Sequence, residues 1–188
     1  MYQMGAREIG ADEYVQALTG LLGSRELAER TAERYPMGDS AMESFTDVAT
    51  DAHYTCPHVE LAAATAPFVP TWLYQFTVAG PRKSDRIELG AYHGADTTLL
   101  FGDPAARDWA PEQTRAAERL RRYVRRFMRD GDPNESGDMR WPAYAASPAP
   151  MHLELADSPR IAEGLRERAC GFFRESGWSR LPAPEQSE

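Results

Sequence analysis

Cysteine is scarce in this chain: Cys56 and Cys170 are the two it has. They stand far apart, and on the residues alone either a pairing or two buried free thiols is open. With 188 residues, 42% of them hydrophobic, the chain has the material for an ordinary core. Positive charge is in deficit too, with 21 Lys and Arg against 29 Asp and Glu, a formal charge of −8 and a pI near 5.1. Nucleic acid and anionic membrane surfaces both require a basic footprint, so neither is an expected partner. No apolar run is long enough to span a bilayer. The opening stretch MYQMGAREIGADEY has neither the basic start nor the apolar core of a secretory leader. Internal repeats are absent.

What is there reads as helices punctuated by a few strands. The spacing predicts two short helices over 11–23 and 24–36, the second capped by Ser24. Leu27 stands where a capping box would need an acid or amide, and Pro36 and Gly38 end the pair. A longer helix is expected from Ser40 to about Ala66, kinked or broken at Pro57. The β-branched and aromatic run FVPTWLYQFTVAG (68–80) predicts a strand centred on 70–78 and buried on both faces, followed by a loop, GPRKSDR. Residues 110–134 form a strong helix that stops at Gly131 and Pro133. Its apolar face is Ala116, Leu120, Tyr123, Val124 and Phe127, with a solvated arginine face opposite. MHLELAD (151–157) alternates like a short strand. Residues 158–178 are expected to form a last amphipathic helix with Ser158 as N-cap and Pro159 in its first turn, before a frayed tail LPAPEQSE.

The stretch ELGAYHGADTTLLFG (88–102) sets His93 among Gly90, Ala91, Gly94 and Ala95, with Asp96 three positions on. Small neighbours leave room for backbone or substrate to approach the imidazole, which suits a proton shuttle near neutral pH. Two other groupings carry less. Asp51, His53, Cys56 and His58 have the donor types of a metal site, but Pro57 disturbs the helical phase that would make them converge, so no metal is expected. GDSAM (38–42) shares only three residues with the Gly-Asp-Ser lipase signature and lacks its downstream Asp-x-x-His, which leaves Ser40 without support as a nucleophile.

Read in order, TDAHYTCP, VPTWLYQF, ELGAYHGADTTLLFG, RRFMRDGDPN…RWPAY and MHLELAD resemble the C-terminal third of the type-B carboxylesterases, the family that also holds the cholinesterases. The resemblance runs over nearly the whole chain. It implies an α/β fold: the C-terminal portion of an α/β-hydrolase, helix-rich, with the last strands of the central sheet, residues 1–188 forming an incomplete segment of one esterase domain. His93 takes the place of the catalytic histidine. Asp96 takes that of an acid three residues later and, with Gly94, is expected to support the His93 loop through backbone amides. The family's triad runs Ser, then Glu or Asp, then His, with the serine on a Gly-x-Ser-x-Gly elbow. This sequence contains neither that elbow nor a Gly-Gly-rich oxyanion loop. Matching the helical stretch that ends at Tyr35-Pro36 places the family's Asp-Glu-Gly acid just ahead of Met1.

The resemblance therefore implies a segment that supplies the histidine and is inactive alone, with an ester substrate, the N-terminal part of the same esterase as partner, and no cofactor. Phe68, Trp72, Phe101 and Trp109 are available as apolar pocket walls. The strands, separated from the rest of the sheet, should leave an apolar edge and a chain that is marginal by itself. In cholinesterases a Cys-Pro like Cys56-Pro57 pairs with a cysteine in a context like RACGFF, which implies a Cys56–Cys170 disulfide and an exported parent protein. Two other readings compete: an esterase-like interaction domain that has lost catalysis, and a helical module with no esterase ancestry. Absence of strand pairing between 70–78 and 151–156 would favour the last.

Overall fold

A computed structural model describes residues 11–38, 41–80, 90–103, 109–145 and 150–178. The expectations for 1–10, for Ser40 of the Gly-Asp-Ser match, for the 81–86 loop and for the 181–188 tail lie outside these. The chain divides into two compact units, Met1–Leu61 with Arg166–Glu188, and Ala62–Leu165.

The first unit is helical. Helices α1 (Ala11–Leu22) and α2 (Arg25–Arg34) are the expected pair, and Ser24 caps α2 by accepting from the Leu27 amide at 3.2 Å. The long helix expected next comes in three pieces: α3 (Ala41–Thr50), a π-helical turn over Asp51–Thr55, and α4 (Cys56–Thr65). Pro57 has no amide to give to an i−4 carbonyl, and the wide turn sits directly ahead of it. Helix α7 (Glu167–Glu175) completes the unit, and Leu18, Val48, Ala28, Cys170 and Phe173 are buried together in its core. Two ties join the two stretches of chain. The Cys56–Cys170 disulfide implied by the resemblance is formed, with Cα atoms 5.0 Å apart. Beside it Asp51, its side chain 2% exposed, accepts from Arg166 Nε at 2.9 Å and from the Tyr35 hydroxyl at 2.8 Å.

The second unit is a small mixed sheet under two helices. Strand β1 (Tyr74–Phe76) runs parallel to β2 (Met151–Leu155), with Tyr74 opposite Leu153 and Phe76 opposite Leu155. Strand β3 (Arg160–Glu163) lies antiparallel on the other side of β2. Helices α5 (Ala95–Phe101) and α6 (Pro111–Asp130) accompany them. Leu120, Tyr123, Trp141, Leu153 and Leu155 form the core, with Trp72, Tyr74 and Phe76 against it. The GDPN and RWP motifs meet here. Asn134 accepts from the Trp141 amide at 2.7 Å and donates to its carbonyl at 2.9 Å, and the indole N–H reaches the Leu73 carbonyl at 3.0 Å.

Several expectations are corrected. The strand expected over 70–78 is three residues long and half-buried, and Phe68, at 85% exposure, is outside it. Its parallel partner offers only five residues, and Pro70 cannot donate to a ladder. The helix expected over 158–178 is β3 followed by α7. Pairing with β2 overrides the amphipathic pattern, positive φ at Gly164 and Arg166 breaks the chain between them, and α7 is capped at Arg166 rather than Ser158. On α6, Phe127 is 48% exposed while Arg126 is buried.

The arginine face of α6 is therefore not simply solvated. Asp138 takes a bidentate pair of bonds from Arg122, at 3.0 and 2.9 Å, and a third from Arg126 at 2.8 Å. The Arg122 bonds above all, with those of Arg126, hold its carboxyl below the usual carboxylate range against the opposing effect of burial. Because the folded value is depressed, the stability this carboxylate contributes is present above about pH 4 and is lost as pH falls below that. Asp138→Asn is expected to cost about 3 kcal/mol, since Arg126 is left buried with part of its pairing gone. Thermal denaturation at pH 7 and pH 3 checks it, the gap between wild type and variant closing at the lower pH.

Candidate active site

His93 stands, itself exposed, at the corner of a half-buried turn immediately before α5. The Ala95 amide donates to the Tyr92 carbonyl at 2.9 Å, closing a four-residue turn with His93 and Gly94 at its centre. Gly94 has φ +86° and ψ 6°, whereas φ of His93 is negative, which together is type II geometry. A side chain at Gly94 would force an L-residue into the left-handed region, at about 1–2 kcal/mol. Space around Gly94 is open, so it serves conformation rather than close approach. The close approach is at Gly80, where an added Cβ would run into the Tyr92 ring and the Ala95 methyl. Gly80 also donates to the Gly90 carbonyl at 3.0 Å, which closes the base of the segment.

Asp96 is in the first turn of α5, three residues past His93. Its Oδ1 accepts from the Thr97 amide at 2.8 Å and its Oδ2 from the Tyr74 hydroxyl at 2.7 Å. Asp96 thus bonds the next amide of α5 through Oδ1 and β1 through Oδ2. Burial, then the hydrogen bond to Asp96 and its charge, push the Tyr74 hydroxyl well above its ordinary value, so it remains a donor. The far end of α5 is held by Arg121 of α6. Its Nε donates to the Leu100 carbonyl at 2.9 Å, and one terminal nitrogen donates to the Leu99 carbonyl at 2.8 Å and to the Gly102 carbonyl. The same guanidinium lies over the Trp109 ring, 5.8 Å from its centroid.

Tyr74 and Arg121 were not legible as part of this segment from the sequence. Tyr74 reads as one aromatic in an apolar strand, and Arg121 as one of a helix face of arginines. Of the four residues with metal-ligand donor types, His53 sits edge-on to the Trp178 ring, centroids 5.8 Å apart. Cys56 is in the disulfide, Asp51 is bonded to Arg166 and Tyr35, and His58 Nδ1 lies 2.6 Å from the Tyr54 carbonyl. No group of three metal-ligating side chains gathers among the described residues. Of the four possible wall aromatics, Trp72 packs edge-on against Phe127, Trp109 lies beneath Arg121, and Phe68 and Phe101 are exposed. No helix among the described residues is long and apolar enough to cross a membrane.

Comparison with known proteins agrees with this architecture. Acetylcholinesterase 1 of Caenorhabditis elegans is 29% identical over 138 residues, covering 66% of this chain and 22% of that protein. Carboxylesterase 1D of Rattus norvegicus is 28% identical over 176 residues, 88% of this chain and 29% of that one. The chain thus spans less than a third of these relatives' length. Among solved structures, a PNB esterase superposes with a TM-score of 0.67 at 20% identity, covering 97% of this chain and 36% of its own, which supports the α/β-hydrolase fold class. The parallel pairing of 74–76 with 153–155 argues against a helical module unrelated to esterases. The sequence profile of the carboxylesterase family matches residues 6–173, and the chain belongs to that family.

Proposed function

We propose that this chain is the C-terminal part of a serine esterase acting on carboxylic esters, and that His93 is its general base. The observation that carries the reading is the type II turn that presents an exposed His93, backed by a short helix bonded at both ends. A base that accepts the nucleophile's proton and returns it to the leaving alcohol needs an open face and a fixed orientation. The serine and the acid that orients the imidazole belong to the upstream part of the enzyme, as does the oxyanion hole. Gly94 shapes the turn and Asp96 anchors it. The disulfide favours export of the parent protein.

The purified chain is expected not to hydrolyse p-nitrophenyl esters above the rate of free imidazole, and not to label with a fluorophosphonate, because a general base without its nucleophile has nothing to activate. Mixed with the upstream part of the enzyme it should regain both. Stoichiometric labelling of the isolated chain would overturn the reading and make Ser40 the first suspect. Failure of the upstream part to confer activity would favour an esterase-like interaction domain.

A further inference from the structure

We infer that Tyr74 and Arg121 are positioning residues for His93, holding the two ends of α5 so that the turn in front of it keeps one orientation. This rests on His93 as the general base proposed above. Helix α5 has seven residues, too few to persist on helical propensity alone. Phe101, at its end, is 80% exposed, while Leu99 is buried and Leu100 packs against the core. Two side chains from neighbouring elements add to that packing.

Tyr74 is fixed on β1 with its ring edge-on to Trp141, centroids 5.7 Å apart, and its hydroxyl grips Asp96 in the first turn of α5. Arg121 projects from the middle of the twenty-residue α6 and puts its charge on three carbonyls at the C-terminal end of α5. That is the end where the helix dipole favours a cation and where carbonyls lack partners within the helix. Between these grips lie Ala95 and Leu99, both buried, and the Thr98 amide and hydroxyl, which donate to the Gly94 carbonyl at 3.0 and 3.1 Å. A rotation of α5 would therefore break bonds at both ends while moving Gly94 and the imidazole before it. Neither side chain need touch substrate. A displacement of about 1 Å at a reacting group is enough to cost as much as about 100-fold in rate.

The test uses Tyr74→Phe, which removes one hydroxyl, and Arg121→Gln, which removes the fork, with Asp96→Ala and the Tyr74→Phe/Asp96→Ala double variant. In the 188-residue chain, amide exchange from Ala95 to Gly102 should speed up about tenfold in each, while exchange in β2 and α6 stays as in wild type. In the esterase reassembled with its upstream part, kcat should fall about tenfold or more at nearly constant KM. The double variant should be no worse than Asp96→Ala, because Tyr74 acts through that carboxylate. Unchanged exchange in α5 would overturn the clamp, and faster exchange at unchanged kcat would reduce it to a stabilising role. Inactivity of the reassembled wild-type enzyme would instead sink the assignment of His93 as base, the clamp then standing or falling on the exchange data.

Discussion

His93→Ala is expected to lower kcat of the reassembled esterase by about 10⁴-fold or more while leaving KM close to wild type. Without the imidazole the serine hydroxyl is not deprotonated during attack and the leaving alcohol is not protonated, so both halves of the reaction suffer. The size of the loss separates chemistry from folding. His93 is exposed on a turn whose geometry is set by Gly94, and surface substitutions of that kind usually change stability by no more than about 0.5 kcal/mol. An unchanged melting temperature together with the collapse of kcat, measured on a p-nitrophenyl ester, is the expected pair of results. A variant that keeps a tenth of the wild-type rate would remove His93 from the mechanism.

The parts of the fold written in local periodicity were legible, and those written in long-range pairing were not. Helix α6 is bounded as expected, because Pro111 at its start and Gly131 in a left-handed cap are local signals. Strand β2 alternates and was found. The segment 158–178 has an equally good helical pattern, but β3 exists because β2 offers an edge, and nothing in RIAE announces that edge. Arg126 shows the same failure in polarity. A buried arginine is reasonable only with acids beside it, here Glu135 and Asp138, nine and twelve residues on in the segment that follows the helix. At the candidate site the glycines around His93 read as leaving room for close approach, whereas Gly94, with open space around it, shapes a turn. The partner of Asp96 was not legible, because Tyr74 is separated from it by 22 residues. The disulfide followed from the resemblance to the cholinesterases, which supplied the pairing that spacing left open.

Arg166→Met is expected to be among the most destabilising single substitutions in the chain, at about 3–5 kcal/mol, a large fraction of an ordinary domain's stability. Asp51 is the reason. Its carboxylate is 2% exposed on the π-helical turn, and Arg166 neutralises it through bonds from Nε and a terminal nitrogen while Tyr35 donates to one oxygen. Removing the arginine strands a buried charge with a single neutral donor. The reverse change should be milder, because Arg166 is 43% exposed and water can take over its solvation. Asp51→Asn is therefore expected to cost about 1–3 kcal/mol, the worth of charge-assisted hydrogen bonds. The double variant Asp51→Asn/Arg166→Met should be more stable than Arg166→Met alone, which a simple sum of lost contacts does not allow. The disulfide, which spans 114 positions and contributes at most about 4–5 kcal/mol, keeps the unit closed while this is measured. Equal costs for Arg166→Met and Asp51→Asn would mean that the ion pair acts as a surface pair and that burial of Asp51 has no energetic consequence.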